Sequence, residues 1–303
     1  MQAKRGSIHF NDDDMIYDII LTTLINGSTW ALLAIGFSLI FGVARIVNIA
    51  HTAFYMVAAY CIFYGTYRLG VHPGLAVLMA IVLVMVLGLI CYKLFIEPIR
   101  EHEAAVLIAT IALALVFQEL VLLIFTGDFR TVPALIAGYL EISGVKIAYQ
   151  QLLTIAAAGV ILAGVWTFLA KTRLGLAIRA TAQDREVANL MGMNEARVAM
   201  LTLVISVALA ALTGAVVLPL SVLNPHMWMG PLIMMMAVVV LGGLGSLKGS
   251  FAGAYILAFS EALVVFLIPK GAFLRESVAL SIMILVLLLR PEGLFGIAFE
   301  EER

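Results

Sequence analysis

IILTTLINGSTWALLAIGFSLIFGVA, residues 19–44, contains no charged side chain. A helix needs about 20 apolar residues to cross hydrocarbon, because only a backbone that satisfies its own hydrogen bonds is stable there. The stretch is therefore read as a membrane helix, and the rest of the chain repeats the pattern. Ile46 to Tyr67 carries only His51, and Gly74 to Tyr92, Leu152 to Ala170 and Val198 to Pro225 are uncharged. Ala104 to Gly127 holds one acid, Glu119, and Gly249 to Pro269 holds Glu261. Met227 to Leu247 is apolar but glycine-broken, and Ser277 to Leu289 needs its flanks to reach spanning length. The expectation is an all-α, polytopic membrane bundle of eight or nine crossings.

Composition agrees. Of 303 residues 63% are hydrophobic and 12% charged, with a mean hydropathy of +1.11, so the solvent for most of the chain is lipid. A net charge of −1, with 18 Lys and Arg set in short flanks, excludes the dense basic surface a nucleic-acid binder needs. Cys61 and Cys91 lie in apolar runs without CxxC spacing, which argues against a disulfide or a zinc site. Lys4 and Arg5 precede an apolar stretch, but Asp12, Asp13, Asp14 and Asp18 intervene and the run is too long for a signal-peptide core. Residues 1–15 are read as a polar leader, 16–292 as one transmembrane domain and 293–303 as a cytoplasmic tail.

Orientation follows from residues 171–197, which hold Lys171, Arg173, Arg179, Arg185 and Arg197. Basic loops stay inside, so this loop is expected in the cytoplasm. The turn with Lys93 and Arg100 and the segment from Arg290 then also lie inside. Asp128 to Gln150 and Asn224 to Gly230 lie outside, and nine crossings place the N-terminus outside.

Nothing resembles a hydrolytic or redox centre, and no metal-ligand pair of His-x-x-x-His or Glu-x-x-His spacing occurs. Gly242 to Gly249 looks like a phosphate loop but lacks Gly-Lys-Ser/Thr, so the chain is expected to bind no ATP of its own and to be no enzyme. The informative residues are polar ones at membrane depth, where a charge costs about 2.5–3.5 kcal/mol unless it faces protein or water. Asn26, Asn48, His51, Gln118 and Glu119 are the candidates for a substrate path. Asn48 and His51, three apart, are expected on one helix face. The alternative for each is interhelical hydrogen bonding. Gly36 and Gly42, and then Gly242, Gly243, Gly245 and Gly249, are expected either to break two helices in corresponding halves or simply to let helices pack closely. Arg179 to Met193 reads as one short amphipathic helix with a stop at Gly192. Val187, Leu190 and Met191 form its apolar face, and Asp184, Arg185 and Glu186 its polar rim.

Several separate stretches resemble one known family, the high-affinity branched-chain amino acid ABC transporter permeases of the type called LivH. Asn26-Gly-Ser through Gly36 and Phe41-Gly42 is similar to the family's first helix. Val47-Asn48-Ile-Ala-His51 with Ala58-Ala59-Tyr60 is similar to its Asn-x-Ala-His-Gly and Gly-Ala-Tyr signature, with Thr52 and Ala58 in place of glycines. Gly242-Gly-Leu-Gly245-Ser and Arg290-Pro-Glu-Gly-Leu-Phe-Gly296 complete the pattern. The resemblance implies that Ala180, Thr181, Gln183, Asp184, Arg185, Glu186, Ala188 and Gly192 couple the permease to an ATPase. It implies a second related permease, two cytoplasmic ATPase subunits that bind ATP and Mg, a periplasmic solute-binding protein, and an amino acid carried across a bacterial inner membrane. Urea, short amides or a sugar are the alternative solutes within the same superfamily. An ion-coupled carrier would rest on Glu119 or Glu261.

Overall fold

The computed structural model describes residues 12–142 and 145–296. Residues 1–11 of the expected leader and 297–303 of the expected tail lie outside this range. The first helix, α1 (Asp12–Ala44), starts within the stretch assigned to the leader.

Among the described residues seven helices are long and apolar enough to cross a membrane. They are α1, α3 (Pro73–Cys91, extended to Ile99 by π and 3-10 turns), α4 (Glu103–Phe125), α5 (Tyr149–Lys171), α8 (Glu195–Val217), α10 (Leu247–Leu267) and α11 (Arg275–Leu289, extended back to Gly271 by a 3-10 turn). Two further expected crossings are short helices, α2 (His51–Tyr67) of 17 residues and α9 (Met229–Gly242) of 14. At 1.5 Å per residue they reach about 26 and 21 Å, less than the roughly 30 Å of hydrocarbon. Non-helical backbone makes up the difference, and it is stable at that depth only when buried in protein.

Residues 45–50 are such a segment, and they correct the expectation that the second helix begins at Ile46. Arg45 takes a left-handed φ of +54°, and the β-branched Ile46, Val47 and Ile49 flanking Asn48 disfavour continued helix. Ile46, Asn48 and Ala50 are buried. Thr110 of α4 meets this backbone: its Oγ1 accepts from Ile49 N at 3.3 Å, while its one proton has Leu107 O at 3.0 Å as the nearer acceptor and Val47 O at 3.5 Å as the weaker one. Asn48 therefore lies in a loop and His51 opens α2, so the two do not share a helix face.

α1 runs through the centre of the bundle. Its second half (Ala31, Leu33, Ala34, Phe37, Ile40) is buried in a core shared with α2, α3, α8, α9 and α10. The outward faces of α3, α4, α5 and α11 carry exposed Leu, Ile, Val and, on α5, Trp166, the surface expected where lipid or another membrane protein is the solvent.

The basic excursion folds into α6 (Arg173–Gln183) and α7 (Arg185–Leu190). Both follow α5 and precede α8, and on the expectation that basic loops stay inside that end of the bundle is the inner one. Residues 126–148 and 218–228 then share the outer end, where strands β1 (Arg130–Thr131) and β4 (Val222–Leu223) pair antiparallel. The hairpin of β2 (Tyr139–Ile142) and β3 (Val145–Ala148) lies in the same outer excursion.

Candidate translocation and coupling site

At the inner end, the expected single helix over 179–193 is two. Asp184 is extended (φ −152°, ψ 113°) and its Oδ1 accepts from Val187 N at 3.0 Å, an N-cap that starts a new helix where the residue is Asp. At the far end Met193 N donates to Ala188 O and Gly192 N to Asn189 O, at 3.0 and 2.9 Å. This is the paired Schellman closure, with Gly192 at φ +85°. Asn194 then caps α8 through Arg197 N at 2.9 Å.

The two short helices sort their side chains by face. Thr181 and Ala188 are buried against the bundle, and Ala180 is half-buried. Gln183, Asp184 and Glu186 are exposed, and Leu190 and Met191 project with 86% and 76% of their surface free. Arg185 departs from the expected polar rim, because it turns inward. Its Nε and Nη2 both donate to Val43 O, at 2.9 and 2.7 Å, and its Nη1 lies 3.3 Å from Glu195 Oε1. One guanidinium thus caps the C-terminal end of α1, where a cation meets the negative pole of the helix dipole, and holds the first turn of α8. Two donors on one carbonyl fix its direction. A recess of about 270 Å³ beside it is walled by Arg45, Tyr92, Arg100, Glu101, Glu103 and Glu195 among others.

Inside the membrane the polar candidates divide. His51 is fully buried, its Nδ1 is 3.2 Å from Ser206 Oγ of α8, and its ring meets Phe37 of α1 edge-on at 6.5 Å. It ties three helices. Asn48 is buried with neither amide atom hydrogen-bonded. Gln118 is buried between helices, accepting from Trp228 Nε1 at 2.9 Å and donating to Glu119 Oε1 at 3.2 Å. Glu119 itself is on the outer face of α4, in a groove walled by Leu115, Val116, Leu120, Leu122 and Leu123. Asn26 lines an outer cavity together with Trp30 and Tyr55.

Gly36 and Gly42 do not break a helix; α1 is continuous from Asp12 to Ala44. They admit close neighbours instead. A Cβ on Gly36 would stand 2.9 Å from the His51 ring, and Gly42 faces Ala182 of α6 and the Gly245 backbone. In the second half the chain does turn, between α9 and α10, with Gly243 and Gly245 at φ +99° and +79°. A Cβ on Gly249 would lie 2.0 Å from Gly242 O. The stretch 290–296 folds back here: Leu294 N donates to Leu241 O and Phe295 N to Gly242 O, at 2.8 and 3.0 Å, satisfying carbonyls that α9 leaves open.

Residues 19–289 match the family described as the permease component of branched-chain amino acid transport systems. The chain belongs to this family of permeases. BraD of Pseudomonas aeruginosa, a high-affinity branched-chain amino acid transport system permease protein, is 30% identical over 293 residues, 91% of this chain and 94% of BraD. LivH of Escherichia coli is 29% identical over 289 residues, 89% of this chain and 92% of LivH. A probable LivH of Methanocaldococcus jannaschii is 26% identical over 300 residues, 93% of each. This permease is accordingly a multi-pass membrane transport subunit, and the inward turn of Arg185 and the hydrogen bonds of Trp228 and Thr110 are contacts that the sequence alone did not show. Trp228 and Thr110 left no signal beyond residue type. Arg185 stood in a quoted motif, but its direction depends on the Asp184 break.

Proposed function

We propose that this permease carries branched-chain, hydrophobic amino acids inward across a bacterial inner membrane as one half of a heterodimeric ABC importer. Two cytoplasmic ATPase subunits would bind ATP and Mg, and a periplasmic binding protein would deliver the solute. The observation that supports this most is the family match over nearly the whole membrane domain, joined to a projecting helix pair with an apolar tip. Exposed Leu190 and Met191 on short helices suit a groove on a soluble partner better than water.

The mechanism follows from rigid connections. Motion of the ATPases displaces α6 and α7, and Arg185 passes that displacement to the inner ends of α1 and α8 together. Because α1 packs along α8 and α10, the bundle rocks as a body rather than flexing one helix. The second permease would cover the α4 groove around Glu119. A carboxylate among exposed leucines is costly in lipid, and protein or a water-filled path between two permeases removes that cost.

The test is uptake of radiolabelled leucine, isoleucine and valine into proteoliposomes holding the full complex and its binding protein, with ATP on the cytoplasmic side. ATP-dependent uptake is the expected result. ATP-dependent uptake of some other solute alone would discard the substrate, and uptake driven by an ion gradient without ATP would overturn the importer reading.

A further inference from the structure

The outer half of the bundle holds a cavity of about 590 Å³, remote from the coupling helices. It opens between the first half of α1, the outer segment that carries Ser221 to Met227, the first turn of α9 and the start of α11. These are all outer-end elements, so the mouth faces away from α6 and α7. Tyr55 of α2, fully buried beneath, belongs to its floor.

Its chemistry is divided. One part of the wall is apolar, with Ile25, Trp30 and Met227. The other carries Arg275, whose Nε donates to Glu261. Glu261 is 2% exposed and also accepts from Trp30 Nε1 at 3.4 Å. The guanidinium is thereby anchored through one nitrogen. Its side chain keeps 43% of its surface, and among the described residues its terminal amino groups meet no acceptor. Glu276 is exposed next to Arg275 and stands beside the lining rather than in it, its Oε1 3.5 Å from where a Cβ on the cavity-lining Gly230 would be. A fixed cation, a neighbouring carboxylate and an apolar wall are the complement of a zwitterion with an aliphatic side chain. A guanidinium held through Nε keeps its two terminal amino groups, a planar donor pair whose geometry matches a carboxylate.

We propose that this outer vestibule is a binding site for a free aliphatic amino acid, with Arg275 holding its carboxylate and Glu276 its ammonium group. The site rests on the importer reading above and deepens it: the permease itself would hold the solute after the binding protein releases it. Volume allows this, since the cavity exceeds the drug-sized lower bound of about 300 Å³ for ligand pockets.

The test uses the assembled complex in nanodiscs without binding protein, measuring equilibrium binding of tritiated leucine. Saturable binding is expected. 3-Methylbutan-1-amine, which lacks the carboxylate, and 4-methylpentanoate, which lacks the amine, should compete at least about tenfold more weakly, as expected for losing one charge-assisted bond. Replacing Arg275 alone would strand the buried Glu261 charge, so the diagnostic variant is the pair E261Q and R275Q, expected to lower leucine affinity on the order of tenfold or more while the complex still assembles. A second measurement does not depend on that pair. Asn26→Cys in a C61A/C91A background should react with a membrane-impermeant maleimide added from outside, and leucine should protect it. Unchanged affinity in the double variant, or labelling of the N26C variant that leucine does not slow, overturns the site. Uptake with the binding protein present but no saturable binding to the complex also overturns it and leaves the importer reading intact. Binding without ATP-driven uptake does the reverse.

Discussion

Arg185 shows how much one side chain can carry. Its three nitrogens reach α1 and α8 from α7, so Arg185→Ala is expected to leave ATP hydrolysis by the complex running while uptake falls roughly tenfold, a coupling loss of about 1–2 kcal/mol. Equal losses in hydrolysis and uptake would place Arg185 in assembly instead. Gly36 makes the opposite kind of demand. An alanine there meets the His51 ring at 2.9 Å and Ser206 O at 3.3 Å, and overpacking of that degree costs about 1–3 kcal/mol. A lower melting temperature of the detergent-solubilised permease, relieved by also trimming His51 to Ala, checks it. Both residues were visible in the sequence, one as part of an amphipathic segment and the other as a supposed helix break. Neither role was legible, because each depends on a partner far along the chain that no local pattern encodes. Gly42 was misread for the same reason: a glycine in an apolar run signals close approach and helix interruption equally well.

Among the elements, those with their own period or cap were readable. The long apolar runs are α3, α4, α5 and α8, and the Gly192 stop stands where the Schellman bonds form. What local pattern hid was the break at Asp184. Asp184→Ala removes the α7 cap and is expected to loosen that helix by about 1 kcal/mol, seen as faster hydrogen exchange confined to residues 185–190. Unchanged exchange there would mean that the bundle alone holds α7. Residues 45–50 were misassigned to a helix because their hydrophobicity is that of a spanning segment, while their conformation is set by Thr110 from another helix. Thr110→Val keeps the volume and removes the acceptor of Ile49 N. A loss of about 1–3 kcal/mol is expected in thermal unfolding of the complex, whereas a neutral result would show that water reaches this loop.

For the whole molecule, hydropathy was enough to fix the class, since lipid permits few architectures, while the basic loop supplies the expected orientation. The polar residues gave a poorer guide: His51 and Gln118 proved to be held by protein neighbours, Glu119 to face outward and Asn26 to line the outer cavity. Glu261 and Arg275 meet across α10 and α11, a pairing that needed the packing to be seen. The threading of the chain gives a topological prediction. Cysteines placed at the exposed Phe273 and Leu190 should react with an impermeant reagent from opposite sides of intact cells and inverted vesicles. Labelling from one side would break the assignment of the outer and inner ends.

The fold-back of Leu294 and Phe295 onto Leu241 and Gly242 also sets an order in time. A ribosome that has just finished α9 must add about fifty more residues before those amides exist, which at 5–20 residues per second takes roughly 3–10 s. For that interval the end of α9 relies on water, or on the insertion machinery, for its open carbonyls. The nascent permease is then most vulnerable to quality-control proteases, and codon choices or substitutions in α10 and α11 that slow its completion would reduce yield without altering the finished protein.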